Sequence, residues 1–161
     1  DKIEKYIPAK KGKTHVLHII RELLSLEPTS KGTNVAQALQ YFTNAQKRHC
    51  TAFLISDFIG SGDMYQPLMI ASNRHEVNAI QIYDRREAEL PNIGLAKFHD
   101  AETGNDIWVD TAIRSVRDAY AKAWRTNQEQ IEQLFTRTGV NQVSVRTDED
   151  YVKALMHLFK C

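Results

Sequence analysis

Cysteine is nearly absent from this 161-residue sequence, which holds only Cys50 and Cys161. The two lie far apart, without the close spacing of metal ligands, and Cys161 is the last residue, where ordering is poor. Reduced thiols in a reducing compartment are therefore expected, not a disulfide framework or a zinc site. Net charge is lacking too. The 21 Lys and Arg side chains face 20 Asp and Glu, a formal +1, so no concentrated positive field directs the chain to nucleic acid or an anionic membrane. Trp108, Trp124 and the tyrosines have no basic residues interleaved for base stacking. No apolar run approaches the roughly 18–20 residues that span a bilayer. Nothing reads as a signal peptide, so a cytoplasmic chain is expected. It begins at Asp1 rather than Met, which is expected of a piece of a longer parent.

The length suits one domain with a sizeable core. Ile3 to Ile7 alternate apolar and polar and stop at Pro8, as an edge strand does. From Thr14 the spacing turns helical, with Val16, Ile19, Ile20, Leu23 and Leu24 on one face. Glu27 to Gly32 breaks that helix. A second begins near Thr33, with Val35, Ala38, Leu39, Phe42 and Ala45 inward. Ala52-Phe53-Leu54-Ile55 is a continuous apolar run, which predicts a parallel strand covered on both faces. A helix over about Asp63 to Arg74 and a buried strand over Val77 to Tyr83 follow. Leu95 to Phe98 and Ile107 to Val109 flank Glu102-Thr103-Gly104-Asn105, a hairpin turn. A long helix covers about Ile113 to Thr138, with Val116, Tyr120, Trp124, Ile131 and Phe135 inward and Gly139 closing it. Val143 to Val145 is a last strand, and Thr147-Asp148-Glu149-Asp150 opens a final helix. Such alternation predicts a three-layer, Rossmann-like α/β domain over 1–161, with a mostly parallel sheet and a hairpin inserted at about 94–110.

Two constellations could carry chemistry. Gly12-Lys13-Thr14 before a helix, with Asp57 after an apolar strand, suggests a nucleotide-binding or hydrolytic enzyme. A phosphate loop needs a further glycine five positions before Gly12, where Ile7 stands before Pro8. Thr14 as a helix cap beside solvated lysines explains the same residues. The second constellation is Ser30-Lys31-Gly32-Thr33-Asn34 before a helix and Ser56-Asp57 at the carboxyl end of a strand. Ligands of open parallel sheets sit there, and a hydroxyl with a carboxylate suits Mg²⁺ or Mn²⁺. Alternatively, Thr33 is an N-cap and Asp57 a turn residue. Asp84 beside Arg85-Arg86 reads as a surface ion pair or as pocket lining with Ser56. His15 and His18 share a helix face without a third ligand, and the other histidines are scattered. No Gly-x-Ser-x-Gly, His-Glu-x-x-His or Cys-x-x-Cys occurs.

Six stretches resemble, in order, blocks of the DUF58 family: residues 7–13, 31–34, 53–58, 83–87, 100–104 and 147–152. They include Lys31-Gly32-Thr33-Asn34, Phe53-Leu54-Ile55-Ser56-Asp57-Phe58 and Tyr83-Asp84-Arg85-Arg86-Glu87. The resemblance implies a von Willebrand factor A-like domain, membrane segments upstream in a parent, and a MoxR-type AAA+ ATPase as partner. It also places Thr33 and Asp57 at the second and third motifs of a metal-ion-dependent adhesion site. The first motif, Asp-x-Ser-x-Ser, has no match before Thr33. One hydroxyl and one carboxylate leave most of the shell to water, so Mg²⁺ or Mn²⁺ is implied for a longer parent rather than for this chain alone.

The resemblance further implies an N-terminally truncated sheet in which Thr51 to Ser56 is an exposed apolar edge. That edge, or Ile3 to Ile7, is expected to pair between copies in a homo-oligomer. The expected function is non-enzymatic: a protein-interaction module with a partial metal site.

Overall fold

The computed structural model describes residues 3–27, 32–60, 62–99 and 104–158, with His157 by its backbone only. The expectations for Ser30 and Lys31, for positions 100–103 of the hairpin turn and for Cys161 lie outside these residues. In chain order the elements are α1 (Lys13–Ser25), α2 (Val35–Ala45), β1 (Thr51–Ser56), α3 (Tyr65–Arg74), β2 (Glu76–Tyr83), α4 (Arg85–Ala88), β3 (Leu95–His99), β4 (Asp106–Asp110), α5 (Arg114–Thr138), β5 (Asn141–Arg146) and α6 (Tyr151–Leu158). β1, β2 and β5 form a parallel sheet with β2 in the centre, and β3 pairs antiparallel with β4 in a separate hairpin. The chain is therefore a mixed α/β fold with a mostly parallel sheet and the expected hairpin. Buried Thr111 closes the hairpin base: its hydroxyl donates to Gly94 O at 2.7 Å and accepts from Ile93 N–H at 2.9 Å.

The core lies on one side of the sheet. Val35 and Leu39 of α2, Leu68 and Ala71 of α3, and Ile131 and Phe135 of α5 meet Val77 and Ala79 of β2. α2 starts at Val35, two residues after Thr33, because the Asn34 carboxamide, not the Thr33 hydroxyl, caps it and accepts from Gln37 N–H at 2.9 Å. α5 ends as expected at Gly139, whose φ of 66° is the left-handed conformation that closes a helix. α6 packs on β5, and it opens on Asp150, which accepts from Val152 N–H at 3.0 Å. Asp148 and Glu149 pair with Arg146 at 2.5 and 2.7 Å instead of capping that helix.

Two expectations are corrected, and a third element stands apart from the core. Residues 3–7 form no strand, since a strand needs a ladder partner and β1 pairs only with β2 among the described residues. That segment is tied instead by the Lys5–Glu22 ion pair and by Tyr6 set edge-on to Tyr41, with centroids 5.8 Å apart. The apolar stripe of α1 forms as spaced, yet α1 buries no residue, and Leu24 is 85% exposed. Among the described residues, β1 is not covered on both faces. Ala52, Leu54 and Ser56 turn toward the helices, while Phe53 and Ile55 are 45% and 60% exposed on the other face. The helical layer over β1 and β2 lies on one side of the sheet, so the three-layer sandwich is incomplete at β1.

Polar groups buried in the sheet are paired across strands. Asn141 Nδ2 donates to Asn78 Oδ1 at 3.3 Å. Gln81, 2% exposed on central β2, donates from Nε2 to the Asp57 carbonyl at 3.3 Å and accepts from Ser144 Oγ at 3.0 Å. One carboxamide thus joins the end of β1 to β5. Replacing Gln81 by Leu leaves the Asp57 carbonyl and the Ser144 hydroxyl without that partner, an expected loss of about 2 kcal/mol. Ser144→Ala in the Gln81→Leu background should then cost less than Ser144→Ala alone, measured by urea unfolding.

Candidate functional site

Three neighbouring strand ends form the carboxyl edge of the sheet: Ser56-Asp57 after β1, Asp84 after β2, and Arg146-Thr147 at the end of β5. Asp57 sits in a tight turn. Its Oδ1 accepts from Ile59 N–H at 3.1 Å, and Ser56 Oγ accepts from Phe58 N–H at 3.1 Å. Phe58 has a φ of 58°, a conformation that bulky residues avoid. Its ring is buried edge-on against Phe135 with centroids 5.2 Å apart, and that packing holds the strained backbone. The turn therefore presents Asp57 to solvent from a fixed base. Beyond it, Gly60, Gly62 and Met64 face Asn127, Gln130 and Leu134 of α5 across an open cleft of about 440 Å³.

Asp84 caps the short helix α4. Its Oδ1 accepts from Arg86 N–H at 2.8 Å and its Oδ2 from Thr147 Oγ1 at 3.2 Å. The Arg86 backbone bond, with the Thr147 hydroxyl adding to it, holds the carboxyl below the usual range. Asp84 is thus a cap, not an ion-pair partner of Arg85, which pairs with Glu89 at 3.6 Å. Glu87, three residues on, behaves oppositely. Burial pushes its pKa up, and the charges of Asp57 and Asp84 push the same way. Its Oε2 is buried with no hydrogen-bond partner. Tyr120 of α5, whose hydroxyl donates to Arg86 O at 3.3 Å, is raised by burial and secondarily by Glu87.

Of the residues expected at a site, Ser56, Asp57 and Asp84 share this edge; Thr33 is exposed just before α2. Among the described residues, no group of three or more His, Cys, Asp or Glu side chains is placed to hold a metal ion. Thr33 and Asp57 bring one hydroxyl and one carboxylate, and Asp57 Oδ1 already receives an N–H. That donor set does not fit a resident divalent ion. The Gly12 turn is also apart from Asp57. Tyr6, Ile7 and Ala9, just before it, line a groove with Cys50 at the amino end of β1, whereas Asp57 leaves the carboxyl end. Gly12 itself is the N-cap of α1, and Thr14 lies inside the first turn rather than capping it. Gln81, Phe58 and Glu87 were missed in the sequence. Only Glu87 left a signal there, the Asp-x-x-Glu spacing of a helix start.

The family model described as "Protein of unknown function DUF58" matches residues 1–130. Uncharacterized proteins of Mycobacterium tuberculosis and Mycobacterium bovis are each 30% identical over 150 residues, 91% of this chain and 46% of theirs. The chain thus spans about half the length of these curated relatives. An uncharacterized protein of Mycobacterium avium is 29% identical over 96% of this chain and 92% of its own. A solved structure, the conserved hypothetical protein BatB from Bacteroides thetaiotaomicron, aligns with a TM-score of 0.46 at 15% identity, covering 88% of this chain and 65% of that one.

The state of Glu87 gives a pH signature. Its pKa is higher folded than unfolded, so the folded chain holds the proton more tightly. The resulting penalty is absent below the ordinary glutamate range, about 4.3, and grows as pH rises through the folded value. Glu87→Gln removes it. The variant's melting temperature should gain on the wild type's as pH rises from about 4 toward neutrality, and parallel curves would exclude the burial and like-charge account.

Proposed function

The chain belongs to the DUF58 family, and from that membership we propose that it is a non-enzymatic protein-interaction module with a von Willebrand factor A-like architecture. Its recognition surface is the carboxyl edge of the β1–β2–β5 sheet. The observation that carries this reading is the placing of Asp57 and Asp84 at adjacent strand ends, with Glu87 of α4 near enough to feel their like charge. A basic side chain from a partner would relieve that load and complete the edge. The strained Phe58 turn supports the same reading, since strain tolerated at a loop is kept where it sets geometry. The partner implied by resemblance is a MoxR-type AAA+ ATPase, met through a Lys- or Arg-bearing loop. No part of the contact is routed through a resident Mg²⁺ or Mn²⁺, because Thr33 and Asp57 supply too few donors.

Binding of the chain to a MoxR-type ATPase, followed by surface plasmon resonance, tests the proposal. Charge reversal at exposed Asp57 (Asp57→Lys) should weaken binding about tenfold or more, and added salt should weaken the wild-type complex. Calorimetric titration of the chain alone should give no saturable heat with Mg²⁺, Mn²⁺ or ATP-Mg²⁺. Binding indifferent to Asp57→Lys would discard this edge, and heat with ATP-Mg²⁺ alone would favour a nucleotide role for Gly12-Lys13-Thr14.

A further inference from the structure

The cleft of about 440 Å³ that opens beyond Asp57 lies between the turn leaving β1 and the middle of α5. Both of its walls come from inside the chain, residues 58–64 and 127–134. Its floor is apolar: Phe58, Met64 and Ile131 are 3%, 3% and 5% exposed, and Leu134 is half-buried beside them. The rim is polar but uncharged. Gly60 and Gly62 take left-handed φ values of 64° and 66°, and a Cβ at Gly62 would meet nothing within 4 Å, so the turn presents bare backbone there. Opposite, Asn127 and Gln130 lie about one turn apart on α5. Among the described residues, neither carboxamide has a hydrogen-bond partner. Each carries donors and an acceptor, so the pair can bond both the C=O and the N–H groups of a peptide backbone.

Charge selects the sign of the occupant. Asp57 and Asp63, both exposed, bracket the turn, and no basic side chain among the described residues lines the cleft. A phosphate or carboxylate ligand would meet like charge and no cation, whereas Lys or Arg would meet a carboxylate. Both hydrogen bonds that Asp57 accepts fall on Oδ1, from Ile59 N–H at 3.1 Å and Ser56 Oγ at 3.5 Å, which leaves Oδ2 for a cation. We propose that the cleft receives an extended segment of a different protein in which an apolar side chain adjoins a Lys or Arg. The apolar side chain sits on the floor of Phe58, Met64 and Leu134, the segment's backbone bonds Asn127 and Gln130, and the basic group reaches Asp57. This rests on the carboxyl edge being a recognition surface and deepens it. That reading asks only for a basic group, and the cleft adds an apolar anchor that keeps water from the ion pair beside it.

An array of immobilised Gly-Ser hexapeptides tests it, each centre pairing Leu, Phe or Ser with Lys, Arg, Glu or Ser in either order. The full chain should be retained by apolar–basic centres, and about fivefold less when Ser replaces the apolar residue or Glu the basic one. Asn127→Ala with Gln130→Ala should weaken retention about tenfold and leave melting unchanged, since neither carboxamide has a partner to lose. Should the double variant melt early, Gln130→Ala alone, at an exposed position, carries the test. In amide nuclear magnetic resonance spectra, a retained peptide should shift Gly60 and Gly62. The proposal is overturned if no peptide is retained, if retention ignores the apolar or the basic residue, or if the carboxamide variants bind like the wild type. Shifts at Gly60 and Gly62 on raising the chain's own concentration would also overturn it, giving the cleft to a second copy. In each of those cases, ATPase binding that still weakens with Asp57→Lys would keep the carboxyl edge as a surface and set aside the cleft alone.

Discussion

The buried carboxamide of Gln81 is the constraint on which the sheet and its edge both depend. A parallel sheet of three strands has only one strand with neighbours on both sides. A polar group buried there must be satisfied from those neighbours or cost stability. Gln81 meets that demand with its amide on the Asp57 carbonyl and its oxygen on the Ser144 hydroxyl. The same two bonds hold the exit of β1 and the middle of β5 in fixed register with β2. Asp57 is thus positioned through its backbone by the core, which leaves its carboxylate free to organise the turn and face solvent.

Burial is one-sided, and much of the remaining surface follows from that. α2, α3 and α5 gather their apolar side chains over Val77 and Ala79, so hydrophobic stabilisation concentrates between that layer and the sheet. α1 stands outside this core: its apolar stripe exists, but no described element is packed closely enough to bury it.

The carboxyl edge carries electrostatic tension. Asp84 is stabilised as an anion by backbone and hydroxyl donors, whereas Glu87, one turn further, is destabilised as an anion by burial and by Asp57 and Asp84. Two carboxylates three residues apart are pushed in opposite directions because donors outweigh burial at Asp84, whereas burial outweighs the Asp84 backbone N–H at Glu87.

Most elements were legible in the sequence because their causes are local. The 3.6-residue spacing of Val35, Leu39 and Phe42, the Gly after α5 and the hairpin flanks each depend on a few neighbouring residues. So did the position of Asp57 and Asp84 at strand ends, since an acid after an apolar run marks where a buried strand emerges. What the sequence left undecided were the facts that need a second segment. The run Ala52 to Ile55 reads as buried on both faces, but covering a face is a property of whatever packs there, and on one face of β1 no described element does. The alternation in Ile3 to Ile7 could suit a strand, yet a strand exists only when another offers its backbone. Gln81 and Glu87 are ordinary polar residues in a linear reading. Only the packed fold, by removing water from both and bringing two carboxylates near the second, decided that the first is a brace and the second a strained acid.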